Sequence, residues 1–177
     1  QLTPGTAADS LVVRRNGVTL GTFTPTGDVR LFAGAGNDSV LADGTNGVNV
    51  FTLESSAVSL NGQTYRGDGV ESWSVAALGG NDVIEVLDGS ATINGGSGTD
   101  SLTFTGLGDA TWDVTGSNTG TLHHAGGVVT FTAVERLGGG SGVDRFVFGE
   151  AGSVSSGITG GDGADARRRA GEDQVAG

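Results

Sequence analysis

The chain of 177 residues contains no cysteine and no methionine. Without cysteine there is neither a disulfide framework nor a Cys-based zinc or redox site. Methionine is missing at position 1 too, which is the expectation for a processed chain or an internal fragment. Lysine is also absent: the nine basic residues are all arginine and face 20 acidic ones, for a net charge of −11. So acidic a balance argues against nucleic acid as a partner, because counterion release needs clustered cations. No apolar run approaches the ~18 residues of a membrane span, and no signal peptide is recognisable. Proline occurs only twice. No window carries apolar residues at i, i+3, i+4 and i+7, so helix beyond a turn or two is not expected.

What is present is glycine, 35 residues of it. Much of it lies in an Asp-ended hexapeptide: AGAGND ending at Asp38, ALGGND at Asp82, GGSGTD at Asp100, GGSGVD at Asp144 and GGDGAD at Asp165. After four of these an apolar residue stands two positions on, at Val40, Ile84, Leu102 and Phe146. The unit is therefore a turn feeding a strand whose first inward side chain is hydrophobic. Short β-branched or alternating runs at 10–13, 48–51, 57–60, 83–86, 101–104, 128–132 and 146–148 read as strands. With weaker corners at Asn16, Asn61 and His123 the series advances by about 21 residues per step, a solenoid period. A longer register is superposed, since Asp38 to Asp100 and Asp82 to Asp144 are both 62 residues.

With 36% hydrophobic residues and mean hydropathy near zero, the chain is too apolar for a disordered tail and too glycine-rich for a conventional core. Stacked coils resolve the conflict, because each coil buries small apolar side chains against the next. The expectation is an all-β parallel solenoid of about seven coils, one domain over 1–165. Residues 166–177 form an Arg-rich tail or cap, where Arg167 occupies the apolar position.

The corners carry the chemistry. Equivalent corners on neighbouring coils lie about 4.8 Å apart. Two carboxylates at that spacing repel by about 3.5 kcal/mol at an effective dielectric of about 20. A cation midway would sit about 2.4 Å from an oxygen on each coil, a calcium–oxygen distance and too long for magnesium. The same Gly-Asn-Asp corners also serve as plain tight turns, because Asn and Asp tolerate the left-handed region and bond their own backbone.

Gly95-Gly96-Ser97-Gly98-Thr99-Asp100-Ser101-Leu102-Thr103 and Gly139-Gly140-Ser141-Gly142-Val143-Asp144-Arg145-Phe146-Val147 resemble the nonapeptide of the hemolysin-type repeats-in-toxin (RTX) family. The resemblance implies a right-handed parallel β-roll or β-helix, with Ca²⁺ held between coils by the Asp carboxylate and carbonyls of the glycine-rich turn. It marks Asp100 and Asp144 as ligands, then Asp82, Asp165 and Asp38, and includes Gly96, Gly98, Gly140 and Gly142 in the metal site through the carbonyl oxygens of their turns. The matches are single or paired units rather than a tandem run, which implies fewer sites and a wider coil than the β-roll.

Other features carry less. His123 and His124 are adjacent, so on a strand they face opposite sides and do not chelate together. Arg66-Gly67-Asp68 is an adhesion tripeptide placed in a loop. Thr22/Thr24, Thr103/Thr105 and Thr130/Thr132 each put two hydroxyls on one strand face, as β-propensity alone would. Trp73 and Trp112 suit either a sugar-binding groove or the core. Glu85 and Asp88 near Asp82 are the only local acidic cluster, and neither a nucleophile elbow nor a phosphate loop is present. An enzyme is therefore the less favoured reading. The expected function is a calcium-stabilised structural or adhesive segment of a secreted or cell-surface protein. The alternatives are a polysaccharide-binding or polysaccharide-processing module and a subunit stacking on itself end to end.

Overall fold

The computed structural model describes residues 2–4, 11–15, 18–23 and 27–169, with side chains from 27 onward. The described residues are all-β, without helix, and fall into two mixed sheets of eleven and eight strands. Three antiparallel meanders punctuate the described residues. β1 (Leu2–Pro4), β2 (Leu11–Arg15) and β3 (Val18–Phe23) make one in the larger sheet. β4 (Val29–Phe32) lies in the smaller sheet and β5 (Ser39–Asp43) in the larger. The second meander, β6 (Val50–Glu54), β7 (Ala57–Leu60) and β8 (Gln63–Asp68), belongs to the smaller sheet. Then β9 (Ser72–Ala76) and β11 (Ala91–Asn94) enter the larger sheet, alternating with β10 (Val83–Val86) and β12 (Ser101–Phe104) in the smaller. The third meander, β13 (Ala110–Gly116), β14 (Thr119–His124) and β15 (Gly127–Thr132), returns to the larger. Finally β16 (Arg136–Gly138) and β18 (Gly157–Thr159) alternate with β17 (Asp144–Phe148) and β19 (Ala166–Arg169).

Every pairing outside the meanders is parallel and in strict register, as in Ile84 beside both Phe51 and Leu102, or Trp112 beside Phe146. The 62-residue block is visible in this order: β4 to β10 map onto β11 to β17. Each block visits the sheets five times, an odd number, so its copy stands in the opposite sheet. The meander of the first block lies in the smaller sheet and that of the second in the larger.

The meanders break the even 21-residue step. Asn61 (φ 50°) and Gly62 (φ 84°) form a hairpin turn between β7 and β8, and His123 lies within β14. Neither is a corner between sheets; Asn-Gly is the two-residue hairpin signal. Asn16 lies outside the described residues. Equivalent corners are 18 or 21 residues apart where single strands alternate, and 33 to 35 apart where a meander intervenes.

Inward positions of both sheets share one core. Phe51, Ile84, Leu102 and Leu137 line it from the smaller sheet, facing Trp73, Ile93, Phe131, Trp112 and Phe146 of the larger. The Trp112 ring stacks on Phe146 at 5.7 Å and meets Phe131 edge-on at 6.0 Å. Trp73 and Trp112 are both buried, which removes them from any sugar-binding groove. Arg66-Gly67-Asp68 is strand, not loop: Gly67 packs against Val70 and Trp73, and Arg66 pairs with Asp28 at 3.0 Å. The strand pattern also runs past 165, since Ala166–Arg169 pairs parallel with β17.

Candidate metal centre

Each corner residue except Asp165, which is followed by Arg167, stands two positions before an inward apolar side chain, where the chain passes from one sheet to the other. Along the edge leading into the smaller sheet these residues are Asn49, Asp82, Asp100 and Glu135, each immediately before β6, β10, β12 and β16 in turn. They form a hydrogen-bonded column. The Asn49 backbone N–H donates to Asp82 Oδ1 at 2.7 Å, Asp82 N–H to Asp100 Oδ1 at 2.8 Å, and Asp100 N–H to Glu135 Oε2 at 2.8 Å. Each side chain thus accepts the amide of the corner one layer below. Asn49 Nδ2 also donates to Asp82 Oδ1 at 2.9 Å, and Asn118 Nδ2 to Glu135 Oε1 at 2.8 Å.

The other edge repeats the device in two pieces. Asp38 N–H donates to Glu71 Oε2 at 2.8 Å; further along, Ala110 N–H reaches Asp144 Oδ1 at 3.1 Å, and Asp144 N–H reaches Asp165 Oδ1 at 2.9 Å. The residue before the corner bonds in reverse. Thr99 N–H donates to Asn81 Oδ1 at 2.9 Å and Val143 N–H to Asp109 Oδ1 at 2.8 Å. The Asn81-Asp82 doublet is therefore a two-way clamp between layers.

The glycines let the turns touch. Gly34/Gly36, Gly96/Gly98 and Gly161/Gly163 share one backbone form with positive φ at both positions, and Leu78/Gly80 adopts it as well. A Cβ on Gly98 would strike the Gly80 carbonyl, one on Gly96 the Leu78 carbonyl, and one on Gly142 the Gly108 carbonyl. On Gly140 it would lie 2.7 Å from the Phe104 carbonyl oxygen, although Gly140 and Gly142 stay outside the positive-φ region.

The five hexapeptide carboxylates are thus divided, Asp82 and Asp100 on one edge and Asp38, Asp144 and Asp165 on the other. Asp82, Asp100 and Asp144 are buried, at 1% exposure or less. Their oxygens differ in what they meet. Both oxygens of Asp144 accept an N–H, Oδ2 from Gly140 at 2.8 Å. Oδ2 of Asp82 and Oδ2 of Asp100 are buried without a hydrogen-bond partner, as is Oδ2 of the half-buried Asp38, whose corner neighbour Glu71 is exposed. Burial pushes the Asp100 carboxyl up to about 6; the Asp82 amide works against this, and the negative charges of Asp82 and Glu135 add to it. Burial also raises Asp144, opposed by the Gly140 and Ala110 amides and assisted by the charges of Asp165 and Asp109.

These residues fit calcium at one place, the Asp82–Asp100 step, where two adjacent buried carboxylates each keep an unpaired oxygen. They do not fit it at Asp144, whose oxygens are already satisfied. Among the described residues no three His, Cys, Asp or Glu side chains converge, so carbonyl or water oxygens would have to complete the shell, as calcium permits.

Asn49, Glu71, Glu135 and Asp109 are members that the hexapeptide pattern missed. The signal was the residue two before an inward apolar one: Asn49 before Phe51, Glu71 before Trp73, Glu135 before Leu137. A search for Asp alone passes over all three. Comparison with known proteins adds no relative, because no family model, curated protein or solved structure matches the chain significantly.

Proposed function

We propose that the two sheets wind as one right-handed parallel β-solenoid, a calcium-stabilised structural segment of a secreted or cell-surface protein. The observation that carries the reading is the column Asn49–Asp82–Asp100–Glu135, with unpaired oxygens on its two buried central carboxylates. Alternation between sheets, parallel register and one shared core support the winding. Asp82 and Asp100 would hold the ion between layers, in line with the RTX resemblance of the Asp100 turn. Calcium supplies the positive charge that two stacked, desolvated carboxylates lack. Without it the column is charged and strained at neutral pH, and the acidic chain is easier to open. At extracellular calcium the layers lock, so that folding and ion binding are linked. The buried Trp73 and Trp112 weigh against the polysaccharide reading.

The test is thermal melting by circular dichroism in EDTA, followed by titration with CaCl₂ and a MgCl₂ control. The expected result is a calcium-specific rise in Tm that Asp82→Asn/Asp100→Asn abolishes and Asp144→Asn leaves in place. Equal melts in EDTA and calcium would reduce the column to a purely hydrogen-bonded clamp.

A further inference from the structure

Among the described residues, the last strand of the larger sheet departs from every strand beneath it. From Trp73 to Phe148 the buried inward positions of that sheet are apolar, apart from Gly120 and the corner residue Asp144 that opens β17. β19 continues the parallel register, with Phe146 opposite Arg167 and Phe148 opposite Arg169, so strand parity places two arginines where the core residues belong. The Arg167 guanidinium carbon lies 4.6 Å from the centre of the Phe148 ring, a cation–π distance. A pocket of about 150 Å³ remains beside it, lined by Phe146, Ile158, Gly160, Asp165, Ala166 and Arg167. An apolar side chain at 167 would have room there. None of Arg167, Arg168 and Arg169 forms an ion pair among the described residues.

Topology makes a further layer a real alternative. Among the described residues the outermost strands are β19 and β3 in the larger sheet, and β18 and β4 in the smaller. Within each sheet the two outermost strands run in the same direction, because every meander has three strands and restores the parallel sense. One copy's β19 and β18 could therefore pair in parallel with β3 and β4 of the next. Such a head-to-tail contact does not close and grows an open filament.

We propose that β19 is a cap whose inward arginines prevent a second copy of this chain from continuing the stack at this end. An added layer would bury two guanidinium groups that no carboxylate pairs with among the described residues, and desolvating unpaired ions is strongly unfavourable. Inward-pointing charge is one of the ways an edge strand resists pairing. The aliphatic stem and flat face of Arg167 meanwhile shield Phe148 from water. This rests on the solenoid reading above.

The test compares the wild-type chain with Arg167→Leu/Arg169→Leu by sedimentation velocity over a hundredfold concentration range, with electron microscopy of any associated species. The wild type is expected to remain monomeric, and the double variant to form filaments one molecule wide. Arg168→Ala, on the opposite strand face, is expected to behave as wild type. Because the leucine variant risks misfolding, Arg167→Gln/Arg169→Gln serves as a second probe, with an expected gain in self-association of at least tenfold. Folded variants that both stay monomeric, shapeless aggregates in place of filaments, or wild-type filaments would each overturn the cap. Small-angle scattering of the wild-type monomer separates this outcome from failure of the solenoid reading, since a compact sphere rather than a short rod would sink that reading alone.

Discussion

At Asp100 three influences meet on one carboxyl group: burial, an amide from the layer below, and acidic neighbours on both sides. Burial is the largest, and it leaves the group about 6 in the folded chain against 3.8 in the unfolded one. The folded state therefore holds more protons between those two values. The Asp100 contribution to stability is fully present below about 3.8 and is lost as pH rises through about 6. In EDTA, the urea midpoint of the wild type relative to Asp100→Asn is expected to fall between pH 4 and 7. A difference independent of pH would remove the burial argument. Leu78 illustrates a conflict of another kind. It takes the left-handed position that glycine holds in three sister turns, at φ 73°, with its side chain about half exposed. Leu78→Gly relieves that strain and is expected to raise stability by about 1 kcal/mol, measured by urea denaturation.

The elements were the most legible part of the sequence. The runs at 57–60, 83–86 and 101–104 are strands with those same limits, because a glycine-rich or hairpin turn bounds each one. Meanders were not legible. β6, β7 and β8 carry the same short apolar runs as the single strands, and only hydrogen bonding decides whether a turn crosses to the other sheet or folds back. Asn61 and His123 were misplaced for that reason. The turns are also where backbone approaches backbone, which gives a prediction at this scale. Gly98→Ala drives a Cβ into the Gly80 carbonyl at a positive φ, and is expected to cost about 1–3 kcal/mol. Gly27→Ala meets nothing within 4 Å and is expected to change stability by less than about 0.5 kcal/mol. Parallel urea titrations of the two variants check the contrast.

For the whole molecule, the sequence by itself determined the class: all-β, built from glycine turns and short strands, with acidic residues at the turns. Those properties are local, since φ preference, alternation and charge are written residue by residue. Tertiary structure alone decided which corners meet. Asp38 shares an edge with Asp144 rather than with its own copy Asp100, because the odd number of sheet visits per block exchanges the sheets from one copy to the next. It also decided which acids remain unsatisfied. Asp100 and Asp144 end nearly identical hexapeptides, yet the turn before Asp144 brings the Gly140 amide to its second oxygen while that of Asp100 finds no donor. A hydrogen bond depends on where two distant backbones come to rest, which no turn specifies for itself.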